Sequence, residues 1–184
     1  MRRTTKTIDI FLMPGEYFVG GAQHRVCTLL GSCVSITLWH AQRRIGAISH
    51  FLLSARRHAA DAAPDPRYAA DAFKLMLRDL AALGVAPSEC TAKVFGGGSM
   101  FAGGVLGTDQ GIGRQNGAVA LQLLREHGIP LASESLYGNG HRRIVFNLGT
   151  GDVWSRQGAP AANGAAVRAA RRPAAAQLPL LRRA

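Results

Sequence analysis

Hydrophobic and polar positions follow two different periods along this chain. Residues 34–39 alternate apolar and polar side chains and are rich in β-branched residues, and residues 45–52 form a second short apolar segment. Because successive side chains of a strand point to opposite faces, this pattern predicts two strands. Residues 40–43 between them predict a short polar connection, so the pair is expected to form an antiparallel hairpin.

Two later segments have a helical period instead. Apolar residues recur three and four positions apart from Tyr68 to Leu83, and residues 116–127 repeat this pattern; Gly84 and Gly128 then provide typical helix ends. Further short strands are predicted at residues 91–95, 130–136, 143–147 and 152–155. Two helices among seven or eight strands, with hairpins adjacent in sequence, indicate a mixed α/β (α+β) layered domain rather than a strict βαβ winding.

Composition agrees with one folded domain. The chain has 184 residues, of which 47% are hydrophobic, so it can bury a core, and no window is apolar enough to span a membrane. Residues 8–13 are too short and contain Asp9, so they do not resemble a secretory signal. We therefore expect a cytoplasmic protein without direct membrane insertion. Its three cysteines are expected to be reduced, because they show neither zinc spacing nor a disulfide framework.

The net charge of +11 is unevenly distributed. Six basic residues follow the last acidic residue, Asp152, whereas residues 1–155 hold 16 basic and 11 acidic side chains. Residues 157–184 consist mainly of Ala, Arg, Pro and Gly, which predicts a flexible basic tail behind a domain of residues 1–156. A docking or membrane-surface role is the alternative for this tail. No aromatic residues are interleaved with its charges, so nucleic-acid binding is not expected.

The predicted hairpin brings a thiol towards an imidazole. If its connection is centred between residues 41 and 42, Cys33 lies directly opposite His50 on one face, with Cβ atoms about 4.5 to 5.5 Å apart. A histidine that accepts the thiol proton makes a cysteine nucleophile, and the Gly31-Ser32 turn could present backbone N–H groups to an oxyanion. The alternative is that Cys33 is a small buried apolar residue and His50 a half-buried, hydrogen-bonded histidine.

Several motifs occur together in a characteristic order. They are Thr28-Leu-Leu-Gly-Ser-Cys-Val34, His50 seventeen residues after the cysteine, Lys93-Val-Phe-Gly-Gly-Gly-Ser-Met-Phe101, Ile112-Gly-Arg-Gln-Asn116, and Arg142-Arg-Ile-Val-Phe146 followed by Gly151-Asp-Val-Trp154. In this arrangement, which covers roughly residues 10–156, the chain closely resembles the CheD family of chemoreceptor glutamine deamidases.

The resemblance implies a fold and a reaction. The fold is a three-layer sandwich with a mixed, largely antiparallel β-sheet and a Cys-His active site. The reaction hydrolyses side-chain amides of particular glutamines in methyl-accepting chemotaxis receptors through a cysteine thioester, releases ammonia and requires no metal or organic cofactor. Cys33 would be the nucleophile, and His50 the general base and later acid. The family's third active-site residue is a threonine just upstream of the cysteine; Thr28 is the match, and Cys27 stands one position further away.

The remaining signals are weaker. Gly96 to Gly98 are interpreted as a permissive turn beside the site rather than a phosphate loop, and residues 111–113 as loop hinges. Arg114, Gln115 and Asn116 are interpreted as a helix cap and a solvated face. A non-catalytic chemotaxis adaptor, which would hold receptors or a CheC-like phosphatase with the same surface, is the alternative function. A CheC-like phosphatase is also a possible partner of the deamidase.

Overall fold

The computed structural model describes residues 6–56, 63–100, 108–158 and 182–183. These residues form ten strands, two α-helices and one 3₁₀ turn. The strands are β1 (Ile8–Phe11), β2 (Tyr17–Gly20), β3 (His24–Leu30), β4 (Val34–His40), β5 (Ile45–Ser49), β6 (Thr91–Gly96), β7 (Leu131–Leu136), β8 (Arg142–Asn147), β9 (Val153–Gln157) and β10 (Arg182–Arg183). The helices are α1 (Ala69–Ala82) and α2 (Thr108–Glu126), and the 3₁₀ turn is Pro87–Glu89.

The strands form two five-stranded sheets. The central sheet has the order β2-β5-β4-β6-β7 and the outer sheet the order β1-β3-β8-β9-β10. Both helices pack on one face of the central sheet, and the outer sheet covers its other face. Two pairs, β1 with β3 and β6 with β7, are parallel, and the others are antiparallel. The predicted mixed, largely antiparallel three-layer architecture is confirmed, with its strands divided between two sheets rather than one.

Each interface between layers has its own apolar core. Strand β4 alternates, so that Val34, Ile36 and Leu38 pack towards the helices. The helix-side core also contains Phe51, Phe73, Met76, Leu80, Val94, Ala120 and Leu124. The inter-sheet core contains Val26, Leu30, Ile48, Phe95, Ile144, Phe146 and Val153, and Cys33 packs against it. Alternation along a strand thus decides which layer each side chain faces.

Most predicted elements occur close to their expected positions. Strands β4 to β9 and helix α1 are within a few residues of the prediction, and β1 to β3 are additional strands that the pattern did not define. Helix α2 begins at Thr108 rather than at residue 116, so the prediction of loop hinges at residues 111–113 was wrong. Gly113 lies against Gly97, where an added Cβ would come within 2.5 Å of the Gly97 carbonyl oxygen. This glycine permits close packing of the helix.

The predicted hairpin exists, but its register differs by two residues. Thr37 pairs with Ile48 and Val34 with Phe51, because the connection occupies residues 41–44 and is centred one residue later than expected. Cys33 is therefore not directly opposite His50 as predicted. The same register places Ser35 opposite His50. A shift of two keeps every side chain on its original face, so Cys33 and His50 still face the outer sheet as diagonal neighbours.

The C-terminal tail lies mostly outside the described residues. Of residues 157–184, the structure describes Gln157, Gly158 and the short strand β10, whose Arg182 pairs with Ser155 of β9. No helix in the described part of the chain is both long enough and apolar enough to cross a membrane.

Candidate active site

The turn that carries Cys33 joins the two sheets. Strand β3 of the outer sheet ends at Leu30, residues 31–33 form the turn, and β4 of the central sheet begins at Val34. An added Cβ at Gly31 would lie 2.7 Å from the Met100 sulfur, so a larger residue there would require this flexible side chain to move. Cys33 is half-buried and packs against the inter-sheet core. The thiol therefore lies at the boundary between the two sheets.

Residues Gly96 to Gly98 pack main chain against main chain on this turn. The Gly97 N–H donates to the Cys33 carbonyl at 2.9 Å, and the Gly98 N–H donates to the Gly31 carbonyl at 2.8 Å. Gly96 has φ +115°, and a Cβ there would come within 2.2 Å of the Cys33 carbonyl oxygen. The glycine run therefore allows two backbone segments to approach closely, which only residues without a side chain permit.

A buried arginine holds the same glycine segment from the outer sheet. Arg142 of β8 is 7% exposed, and its guanidinium donates to the carbonyls of Gly96 at 3.2 Å and Tyr137 at 3.1 Å, and also to Ser135. These carbonyls accept hydrogen bonds from the charged guanidinium, whose burial without partners would be costly. Arg142 thus ties β8 to the ends of β6 and β7 beside the Cys33 turn.

His50 is fixed by a hydroxyl from the outer sheet. The ring is 1% exposed, and its Nδ1 lies 2.7 Å from the Thr28 hydroxyl, which in turn lies 2.7 Å from the Leu12 carbonyl oxygen. The carbonyl can only accept, so the single Thr28 proton goes to Leu12, and Thr28 accepts a hydrogen bond from His50 Nδ1–H. In the neutral ring, Nε2 then carries a lone pair. This Nε2 is buried and has no hydrogen-bond partner among the described residues.

Burial keeps both groups neutral near pH 7. It lowers the pKa of His50 to about 4, although the Leu12 carbonyl and the negative charge of Glu16 oppose this effect. Burial also raises the pKa of the Cys33 thiol, with a smaller opposing effect from its own backbone N–H. The resting pair is therefore a thiol and a neutral imidazole rather than a thiolate and an imidazolium. Such a pair suits proton transfer that occurs during nucleophilic attack.

Thr28 and its neighbour Cys27 lie on opposite faces of β3. Val26, Thr28 and Leu30 of β3 are fully buried towards the central sheet. Cys27 points to the opposite face, where its sulfur lies 3.2 Å from Arg143 Nε. Of the two candidate positions upstream of Cys33, the structure therefore brings Thr28 to His50 and directs Cys27 away. Cys90, the third cysteine, is buried in the helix-side core, where burial raises its pKa to about 11.

Comparison with known proteins agrees with this arrangement. A model of the family described as "CheD chemotactic sensory transduction" matches residues 52–157. "Probable chemoreceptor glutamine deamidase CheD 2" of Albidiferax ferrireducens is 54% identical over 161 residues, which covers 87% of this chain and 93% of the relative. "Probable chemoreceptor glutamine deamidase CheD 3" of Dechloromonas aromatica is 44% identical, with 79% and 85% covered. The chain belongs to the CheD family.

The CheD family model begins after the turn and histidine described above. The match to the Albidiferax ferrireducens CheD protein is too long to omit either Cys33 or His50, so similarity to a CheD relative extends through the site. Among the residues that the structure describes, no group of three or more His, Cys, Asp or Glu side chains is placed to hold a metal ion.

One buried residue of this CheD chain was misinterpreted from the sequence. Asn116 is neither a helix cap nor part of a solvated face: it lies inside α2 and is 0% exposed. Its position four residues before Ala120 and eight before Leu124 places it on the buried stripe of the helix, and this spacing could have revealed it. The exposed neighbours Arg114 and Gln115 agree with the solvated face that was predicted.

Proposed function

We propose that this protein is a protein-glutamine glutaminase that converts selected glutamines of methyl-accepting chemotaxis receptors to glutamates. The proposal depends most on one observation, the hydrogen bond from His50 Nδ1 to Thr28, which leaves a buried Nε2 lone pair on the same sheet face as Cys33. The names of the CheD relatives, chemoreceptor glutamine deamidases, supply the substrate class.

The first half-reaction forms a thioester. His50 Nε2 takes the Cys33 proton as the sulfur attacks the glutamine Cδ, and the carbonyl oxygen becomes an oxyanion. Within the described residues, the N–H groups of Ser32 and Cys33 have no backbone acceptor, so they are available to this oxyanion. Protonated His50 then gives its proton to the leaving nitrogen, the C–N bond breaks and ammonia departs.

The second half-reaction consumes one water molecule. His50 Nε2 accepts a proton from water as the water oxygen attacks the thioester carbon, and the C–S bond breaks. The proton returns to the sulfur, so Cys33 is regenerated and the product is a glutamate side chain. Thr28 holds the imidazole in one tautomer throughout, since its hydroxyl accepts from Nδ1 while it donates to Leu12.

The cellular setting is part of the same proposal. A receptor deamidase acts on the cytoplasmic part of its substrate, so we place the protein in the cytoplasm with receptors as its principal partners and a CheC-like phosphatase as a further one. We assign the activity to residues 1–156 and an accessory role to residues 157–184. The last long strand, β9, ends at Gln157, next to this division.

The test is a mass measurement on a receptor cytoplasmic fragment. Wild-type protein is expected to raise selected glutamines by about one mass unit each and to release an equal amount of ammonia. Cys33→Ala and His50→Ala should abolish both signals while the protein remains folded, because each removes a group that changes bonding in the reaction. The matched control is Cys27→Ala, which removes a thiol from the opposite face of β3 and should retain activity.

Two outcomes would contradict the proposal. Undiminished deamidation by Cys33→Ala would exclude the thioester mechanism. Tight binding of the receptor fragment without any mass change or ammonia would instead support the alternative, a non-catalytic chemotaxis adaptor.

A further inference from the structure

The side chain of Asn116 joins the two segments that carry the reacting groups. Its Nδ2 donates to the Ser32 carbonyl at 3.1 Å and to the Leu52 carbonyl at 2.8 Å. Ser32 directly precedes Cys33, and Leu52 follows His50 by two residues. Both lie beyond the Val34–Phe51 pair, where regular pairing of β4 with β5 has ended. A helix side chain thus bridges the two strand extensions.

Peptide geometry links this contact to the oxyanion. The C=O of one residue and the N–H of the next share a planar trans unit and point in opposite directions. When Asn116 holds the Ser32 carbonyl on the helix side, it also fixes the direction of the Cys33 N–H. This N–H belongs to the same residue as the attacking sulfur, so it lies close to the atom that attacks the substrate.

The other carbonyls of the turn are held as well. Gly98 N–H holds the Gly31 carbonyl and thereby fixes the Ser32 N–H, while Gly97 N–H holds the Cys33 carbonyl. Of the three external donors, two are main-chain N–H groups, which only a substitution to proline would remove. Asn116 supplies the third, and it is the only one of the three that is a side chain.

We propose that Asn116 is a positioning residue that holds the Cys33 N–H ready to receive the oxyanion. The inference rests on the proposed thioester mechanism. It predicts that loss of the Asn116 amide slows the formation and breakdown of the tetrahedral intermediates, whereas substrate binding and the intrinsic reactivity of the thiol are preserved. Asn116 itself touches neither the substrate nor the reacting atoms.

Two reactions of Cys33 separate this role from a general structural one. Deamidation passes through an oxyanion, whereas alkylation by iodoacetamide displaces iodide at a saturated carbon and forms none. In a Cys27→Ser background, with Cys90 buried, alkylation reports on Cys33. For Asn116→Ala, which removes both donors without adding a charge, we expect kcat of deamidation to fall about 10²- to 10³-fold. KM and the alkylation rate from pH 6 to 9 should stay within about threefold of the wild-type values.

Further variants keep the test decisive. Asn116→Ser can still donate one hydrogen bond, so it should fall between the wild type and Asn116→Ala, and it replaces Asn116→Ala if the latter does not fold. Gln115→Ala, an exposed neighbour on α2, is the matched control and should leave both reactions unchanged. Equal losses of alkylation and deamidation, or unchanged kcat in a folded variant, would overturn the positioning role. Deamidation by Cys33→Ala would instead overturn the proposed mechanism itself.

Discussion

Cys33 and His50 lie next to the ends of neighbouring strands, β4 and β5, yet they are held by different kinds of group. The Cys33 turn is fixed largely by main-chain donors, the N–H groups of Gly97 and Gly98, in a space too small for any Cβ at Gly96. His50 is fixed through its ring by one side chain, Thr28, which is in turn anchored on a carbonyl.

This difference determines which substitutions each half tolerates. A backbone-held turn loses its geometry when a side chain enters the contact, and such a change affects folding and activity together. A ring held by one hydroxyl keeps its fold when the hydroxyl is replaced, but it loses the defined tautomer. Backbone strain therefore tests the Cys33 half, in which one polar side chain, Asn116, also holds the turn, and the loss of a single hydroxyl tests the His50 half.

The largest effect is expected for Gly96→Ala. The new Cβ would lie 2.2 Å from the Cys33 carbonyl oxygen at φ +115°, so the turn must shift, at a cost of about 3 to 5 kcal/mol in the free energy of unfolding. Activity should be lost as well. Gly128→Ala is the control, because Gly128 also has positive φ (+64°) but nothing lies within 4 Å of an added Cβ. It should cost about 1 kcal/mol and retain activity. Urea unfolding measures the free energy of unfolding of the two variants. Equal losses of stability in the two variants would contradict the close-packing argument.

The second-largest effect is expected when the Thr28 hydroxyl beside His50 is removed. Thr28→Val removes the acceptor of Nδ1–H at nearly constant volume, so both tautomers become accessible, and kcat should fall about 10²-fold. Thr28→Ser keeps the hydroxyl and should retain most of the rate. Adding Cys27→Thr to Thr28→Val should not restore activity, because residue 27 faces Arg143 on the other side of β3. Restoration, measured by ammonia release, would show that the hydroxyl can act from position 27.

The smallest effect is a loss of stability in mild acid. Burial lowers the pKa of folded His50 to about 4, below its ordinary value of 6.5, so the unfolded chain binds a proton between these values and the folded protein does not. Stability from this group is therefore complete above pH 6.5 and falls as the pH decreases towards 4, by about 2 kcal/mol at pH 5. In urea unfolding, the free energy of unfolding of the wild type should fall by about 2 kcal/mol more than that of His50→Gln between pH 7 and pH 5. An identical pH dependence would contradict the assignment to His50.

Much of the fold followed from local patterns, whereas registers and backbone contacts did not. Strands β4, β5, β6, β8 and β9 alternate or carry β-branched residues, and α1 has a clear apolar stripe. The hairpin register was wrong by two because the four-residue connection places Arg44 at φ 51°, a conformation that is uncommon for a non-glycine residue. The start of α2 was placed too late because Gly111 and Gly113 disfavour a helix locally, and the contact with Gly97 that explains Gly113 is not local.

The candidate site also divides into residues that the sequence could predict and contacts that it could not. Cys33 and His50 were identified from the predicted hairpin pairing and Thr28 from the resemblance to the CheD family, and their roles remain predictions. Thr28 could be separated from Cys27 only by the face of β3 on which each lies. The contacts of Asn116 and Arg142 could not be predicted, because both side chains donate to backbone carbonyls far away in sequence.

The turn at residues 31–33 is the covalent passage from the outer sheet to the central sheet, and this has a consequence during folding. Thr28 belongs to one sheet, His50 lies beside the other, and Cys33 stands between them. A chain in which only one sheet has formed has a thiol and an imidazole but no anchored base. The hydrogen bond that orients the proposed base therefore forms only when the two sheets are docked, so the candidate site is complete only in the fully assembled domain.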